Sequence, residues 1–203
     1  MDIFESLEAR WFFDDAPPAA VAWLGDAPSE GARVDRYLKT GRFDLGVKAR
    51  GAAGRPVMFE TKYRLGSLDG IALAEGVVGS LERWRKLSIA TDDPLLEKHG
   101  AWLAVAKDRR ARRYAWRDGV VTRAGDERLD AGCAVELTRL DFEIDGVARV
   151  AWTFGLEAFG PSEGLLDVLM DVSRAVFVGA GMSLSGERAA SYAAWVEQTL
   201  DPR

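Results

Sequence analysis

Lys48 and Arg50 stand two residues apart, and Glu60, Lys62 and Arg64 repeat that spacing after a short turn. Successive side chains of an extended chain point to opposite faces, so a period of two gathers each set on one side of a strand. Phe43, Leu45, Val47 and Ala49 take the other side of the first strand, and the Gly-Ala-Ala-Gly-Arg-Pro segment at 51–56 reads as the turn. Clustered guanidinium and ammonium groups are what a polyphosphate requires, and carboxylates among them suit a divalent cation bridging phosphate oxygens. Taken alone, such a face is also the ordinary solvated side of a sheet.

The elements that must position these residues follow the same arithmetic. Leu7 to Phe13 places Glu8 and Arg10 on one face and Leu7, Ala9, Trp11 and Phe13 on the other. Asp14, Asp15 and the prolines then predict a helix over Pro17 to Leu24, and a loop at 25–31 leads to a strand over Arg33 to Lys39 with Arg33, Asp35, Tyr37 and Lys39 on one face. After a loop at 65–70, Leu81, Trp84 and Leu87 recur at three-residue steps, which predicts a helix from about Ile71 to Ile89, broken at the Thr-Asp-Asp-Pro of 91–94.

A strand over Ala101 to Trp116 carries Leu103, Val105, Lys107 and Arg109 on one face. Five bases fall within residues 107–113, so some of them must face solvent. A short strand follows the Asp118-Gly119 turn. Cys133 to Ile144 and Val147 to Phe159 form a hairpin about Asp145-Gly146, the second strand holding Val150, Trp152, Phe154, Leu156 and Ala158 opposite Arg149, Thr153 and Glu157. Leu165, Leu169, Val172 and Val176 mark a helix, and a last helix spans about Glu187 to Leu200 with Ser185 as its cap. No strand precedes the Gly-Ala-Gly of 179–181, so it is not read as a phosphate loop.

Composition narrows the classes. A net charge of -5 argues against general affinity for nucleic acid or anionic membrane, while leaving room for a local basic pocket. A single cysteine, Cys133, forms no internal disulfide and reads as core. A single histidine, His99, excludes a histidine-built metal centre and reads as a surface residue, so any metal would need oxygen ligands. No apolar run reaches the ~20 residues of a membrane span, and Asp2 and Glu5 precede any basic residue, unlike a signal peptide. A cytoplasmic protein is expected; its oligomeric state is left open.

Runs of strands joined by tight turns make this a largely antiparallel α+β chain. Seven or eight strands invite closure, which removes the edges. The expected fold is one domain, an eight-stranded, mostly antiparallel closed β-barrel over 1–160 with two inserted helices, followed by carboxyl-terminal helices over 161–203. Two arrangements remain. Either the charged faces lie outside an apolar barrel, and function lies in protein contacts through the carboxyl-terminal helices, or helices cover the apolar faces. In the second case the interior is a tunnel lined by Glu8, Arg10, Lys48, Arg50, Glu60, Lys62, Arg64, Lys107, Arg109, Glu136 and Glu157. That interior is costly without a highly charged ligand, and it suits phosphoryl or nucleotidyl transfer by positioning and charge neutralisation.

Four segments resemble the CYTH or triphosphate tunnel metalloenzyme superfamily: Ser-Leu-Glu-Ala-Arg-Trp-Phe at 6–12, where the family has Glu-x-Glu-x-Lys; the Asp35-x-Tyr37 hairpin that ends in Lys48 and Arg50; the strand around Lys62; and Val105-x-Lys107-x-Arg109. The resemblance implies an eight-stranded tunnel holding a triphosphate in a small molecule or nucleotide, with Mg2+ or Mn2+ as cofactor. It implies Arg10, Lys48, Arg50, Lys62, Arg64, Lys107 and Arg109 as phosphate ligands, Glu8, Glu136 and Glu157 as metal ligands, and Glu8 and Glu157 as catalytic residues. The activity implied is a metal-dependent hydrolase of inorganic triphosphate, thiamine triphosphate or a nucleoside triphosphate; the alternative is a non-catalytic nucleotide or polyphosphate binding module with a degenerate metal site. Three departures bear on that choice. Ser6 replaces the first glutamate and Arg10 the lysine, Glu157 stands alone between Gly155 and Phe159, and Gly46 occupies a position where arginine is common. Half a metal site leaves weak metal binding, recruitment of Glu60 or Glu136, or loss of catalysis.

Overall fold

The computed structural model describes residues 2–51, 57–91 and 102–201. Among them the strands are β1 (Asp2–Phe13), β2 (Ser29–Leu38), β3 (Leu45–Arg50), β4 (Val57–Ala74), β5 (Val77–Thr91), β6 (Trp102–Arg117), β7 (Val120–Ala124), β8 (Gly132–Ile144) and β9 (Val147–Phe159). Three α-helices accompany them: α1 (Pro18–Leu24), α2 (Leu165–Phe177) and α3 (Tyr192–Leu200). The spatial order is β2-β3-β4-β5-β1-β9-β8-β6, and β6 pairs back onto β2, closing an eight-stranded antiparallel barrel with β7 attached outside β6. No described helix is long and apolar enough to cross a membrane.

Alternation assigns the two faces. Leu7, Ala9 and Trp11 of β1, Val135 and Leu137 of β8, and Phe154, Leu156 and Ala158 of β9 point outward into a buried cluster with Leu165, Val168, Leu169 and Val172 of α2. The intervening residues, Glu8, Arg10, Glu136 and Glu157 among them, point inward. Of the two arrangements left open by the sequence, the interior is thus the charged one. Both Asp118-Gly119 and Asp145-Gly146 have positive φ at each residue, the type I′ geometry that matches strand twist.

The helix expected over Ile71 to Ile89 is instead the β4–β5 hairpin, turning at Glu75-Gly76. The reason lies in burial on both sides. Leu81 faces the outer cluster and Trp84 the barrel interior, so apolar residues fall at both parities and imitate a three-residue step. The loop expected at 65–70 is likewise strand, within β4, where register shifts interrupt the ladder between Arg64 and Gly66 and between Leu68 and Ile71. Among the described residues, therefore, one helix, α1, is inserted between barrel strands where two were expected. The turn at 52–56, the break at 92–94 and His99 lie outside the described residues.

The outer face leaves little slack. A Cβ on Gly79 would lie 2.6 Å from Cζ2 of Trp11, which is fully buried and donates its indole N–H to the Val78 carbonyl at 2.9 Å. Gly79→Ala should cost roughly 1–3 kcal/mol through overpacking. Urea denaturation reads it directly; a variant as stable as the parent would mean that the Trp11 ring yields.

The last helix begins later than the sequence suggests. Ser185 caps only a short 3-10 turn at Gly186–Arg188, accepting from the Glu187 N–H, and Ser191 caps α3, accepting from the Ala194 N–H at 3.1 Å. This shift matters because α3 enters one end of the barrel. Tyr192, Trp195 and Val196 pack with Phe12, Tyr37, Leu103, Val105, Leu140, Phe142 and Ala151. Trp195 stacks on Phe12 at 5.3 Å and meets Phe142 edge-on at 5.2 Å. Glu197 ties the helix to the β2–β3 connection by accepting from the Thr40 N–H at 2.7 Å and the Gly41 N–H at 2.9 Å. The passage through the barrel thus has a floor.

Candidate functional site

All eight ring strands contribute side chains to a cavity of about 280 Å3 above that floor. Eight cations line it, Arg10, Arg33, Lys48, Arg50, Lys62, Lys86, Lys107 and Arg109, against four carboxylates, Glu8, Glu60, Glu136 and Glu157. The chain as a whole is acidic, so positive charge has been concentrated here. Depth follows from exposure: the side chains of Lys107 and Arg10 are 3% and 5% exposed beside the floor, while Arg33 and Arg50 reach 29% and 34% toward the other end.

Near the floor the cations lie on aromatic faces. Lys107 Nζ is 3.6 Å from the Tyr192 ring centroid and 4.9 Å from that of Tyr37, to whose hydroxyl it also donates. Arg10 lies 4.9 Å over Tyr192 and donates to Glu136 at 3.3 Å and to Thr153 Oγ1 at 3.4 Å. A Cβ on Gly155 would come within 2.8 Å of the Arg10 guanidinium carbon, so the glycine opposite Arg10 leaves room for it. Thr138 Oγ1 and Arg10 Nε are buried without a hydrogen-bond partner among the described residues.

Asp35, fully buried on β2, is surrounded by charge of the opposite sign: Arg50 at 3.1 Å, Arg33 at 3.4 Å, Lys107 at 3.6 Å and Lys48 at 3.9 Å. Burial alone would raise its carboxyl, but Lys48, Lys107, Arg33 and Arg50 outweigh burial and hold it at about 2. Burial pushes the Lys107 ammonium well below its ordinary value, with Lys48, Arg10 and Arg33 adding to the depression and Asp35 opposing it. Burial also pushes the Tyr192 phenol up to about 12. At the barrel's outer edge, Ser162, Arg85 and Arg83 hold Glu5 at about 2.

These shifts set the acid limit of the fold. A carboxyl depressed in the folded state stabilises it above the unfolded value, and that contribution disappears as pH falls through the folded value. For Asp35 and Glu5 the window runs from 3.8 and 4.5 down to about 2. Denaturant midpoints measured across a pH series should therefore decline through that window; a flat profile there would contradict the assignment.

Most residues expected in the tunnel meet in this cavity: Glu8, Arg10, Lys48, Arg50, Glu60, Lys62, Lys107, Arg109, Glu136 and Glu157. Arg64 does not line it. It keeps the register of β4, opposite Trp84 and one inward position beyond Lys62, where its guanidinium pairs with Glu82 at 2.5 Å and lies over Trp84. Arg110, Arg112 and Arg113, the surplus bases of β6, bind the outer loops at Gly25, Asp26 and Gly125. The sequence reading missed Arg33, Tyr37, Lys86, Thr138 and Tyr192. Arg33 and Tyr37 share the parity of Asp35 and could have been included on that ground; Lys86 was lost with the helix assignment.

No protein-family model matches the sequence, and no curated protein matches it. Among solved structures the chain is similar to the PH1819 protein of Pyrococcus horikoshii OT3, with 12% identity and a TM-score of 0.45 over 97% of this chain and 99% of that one. No family assignment follows from that likeness.

The three glutamates that the resemblance implies as metal ligands do line one cavity, but their oxygens are engaged by side-chain cations. Glu8 pairs with Lys62, Glu157 lies 3.7 Å from Lys62, and Glu136 holds both Arg10 and Arg109. Among the described residues no group of three or more histidine, cysteine or carboxylate side chains is placed to hold a metal ion. This donor set does not fit Mg2+ or Mn2+.

Proposed function

We propose that this protein binds a compact polyanion of the triphosphate class inside its one-ended barrel. The observation that carries the reading is the lining of eight cations against four carboxylates, with the buried Asp35 behind them as a fifth, in a chain of net charge -5. Burying that much like charge is costly unless an anion compensates it. Lys86 supports the same reading, since no carboxylate lies within ion-pair distance of it among the described residues, and so do the unpartnered Thr138 Oγ1 and Arg10 Nε. A cavity of about 280 Å3 sits at the small end of the range for ligand sites, which favours a short phosphate chain over a whole nucleotide. Metal-dependent hydrolysis is the reading that the sequence resemblance implies; the salt-bridged carboxylates favour binding without turnover.

Thermal denaturation with tripolyphosphate, with ATP and with thiamine triphosphate tests this reading. A ligand that binds only the folded state raises its stability by about 2.7 kcal/mol at a hundred times Kd. Tripolyphosphate should give a clear rise in Tm, larger than ATP gives. No shift with any of the three would remove the proposal, and steady phosphate release would replace a binding role with an enzymatic one.

A further inference from the structure

We infer that Lys62 is the built-in cation of this cavity and takes the place that a divalent metal would occupy between carboxylates, so that the site receives its anion without metal. The inference rests on the anion-binding reading above. Three carboxylates form a row across neighbouring strands: Glu82 on β5 stands directly opposite Glu8 on β1, which stands directly opposite Glu157 on β9. Cross-strand partners hold their Cβ atoms about 4.5–5.5 Å apart, and like charges so placed repel.

Cations reach the row from β4. Lys62 Nζ donates to Glu8 Oε1 and lies 3.7 Å from Glu157 Oε1, and Arg64 donates to Glu82. Ser6 adds a hydroxyl donor to the same Glu8 oxygen at 2.7 Å.

An ammonium group has three N–H donors and no acceptor. One is given to Glu8 while Glu157 lies within ion-pair range, and Lys62 also lines the cavity, which leaves donors for a phosphate oxygen. One side chain can therefore bridge wall carboxylates and bound anion, the bridging role otherwise given to a metal. Burial works against the charge on Lys62, but Glu157 and Glu8 outweigh burial and raise the pKa of the ammonium. A metal entering the row would have to displace a cation already shared by two carboxylates.

The test pairs calorimetry with a metal readout. Tripolyphosphate is titrated into chelator-treated protein in EDTA and again in Mn2+, and Mn2+ alone is followed by loss of its free-ion electron paramagnetic resonance signal. Wild-type protein should bind tripolyphosphate in EDTA and leave the Mn2+ signal unchanged. Lys62→Ala, shown folded by circular dichroism, should lose roughly 10- to 100-fold in tripolyphosphate affinity in EDTA, the scale of one charged hydrogen bond, and should take up Mn2+ between the released carboxylates. Uptake of Mn2+ by the wild type, binding of tripolyphosphate only with metal, or a folded Lys62→Ala that takes no Mn2+ would each overturn the inference. The wild-type arms decide the matter alone if Lys62→Ala does not fold. If tripolyphosphate binds in neither condition, the anion reading falls, while the Mn2+ arm still decides whether Lys62 holds metal out.

Discussion

Asp35→Asn should cost the ligand-free protein roughly 3–5 kcal/mol, the scale for removing one partner from a buried ion pair, and tripolyphosphate should restore much of that loss. Four cations converge on the Asp35 carboxylate, and Glu60 also serves two of them, Lys48 and Arg50. Lys107 is left with the least compensation. It can escape by losing its proton, a change that its burial already favours, so the penalty should shrink at alkaline pH. A bound phosphate oxygen would supply the charge that asparagine lacks. Urea denaturation of parent and variant, each with and without tripolyphosphate, reads both halves of the prediction. An equal penalty with and without the anion would show that the cations around position 35 do not face an exchangeable ligand.

The second large effect belongs to the floor. Trp195 is 7% exposed and meets Phe12, Phe142 and Tyr192. Trp195→Ala should destabilise by roughly 3–5 kcal/mol, the usual cost of emptying an aromatic core site, which for a chain of this size lowers Tm by roughly 6–20 °C. The effect should extend to the anion. Tyr192 lies on the same helix and carries Lys107 and Arg10 on its ring, so a displaced helix loosens the two deepest cations, and tripolyphosphate should bind more weakly even where the variant remains folded. Calorimetry below the lowered Tm separates the two consequences. Unchanged affinity would mean that the floor supports the barrel without positioning the site.

Much of the fold could be read from parity alone. Strands β1, β3 and β9 each carry one mainly apolar face and one that holds the charges, so the period of two appears directly in the sequence. The β4–β5 hairpin was hidden because Leu81 and Trp84 are buried on opposite faces. Most inward charges were legible for the same reason that the strands were. Arg64 shares their parity but is taken up by Glu82 of the neighbouring strand, a pairing that only the folded sheet brings about. Nor could the sequence reveal the floor, since Phe12 and Trp195 stack only once the first and last barrel strands and α3 have come together. The pairing of Lys62 with Glu8 and Glu157 depends equally on three strands meeting, β4, β1 and β9.

Closure of the barrel has a kinetic consequence. β1 finds its neighbours in β5 and β9, and α3 follows every strand in the chain. At ~5–20 residues per second of synthesis the first strand waits on the order of ten seconds for β9. While the sheet is open its charged face stays hydrated at no cost, and only the last joining of strands strips water from those groups. Pairings this distant in sequence are slow to form, and here the slow event coincides with the desolvation of the cations. An anion that neutralises them at that moment would act on the rate of folding as well as on the stability of the finished barrel.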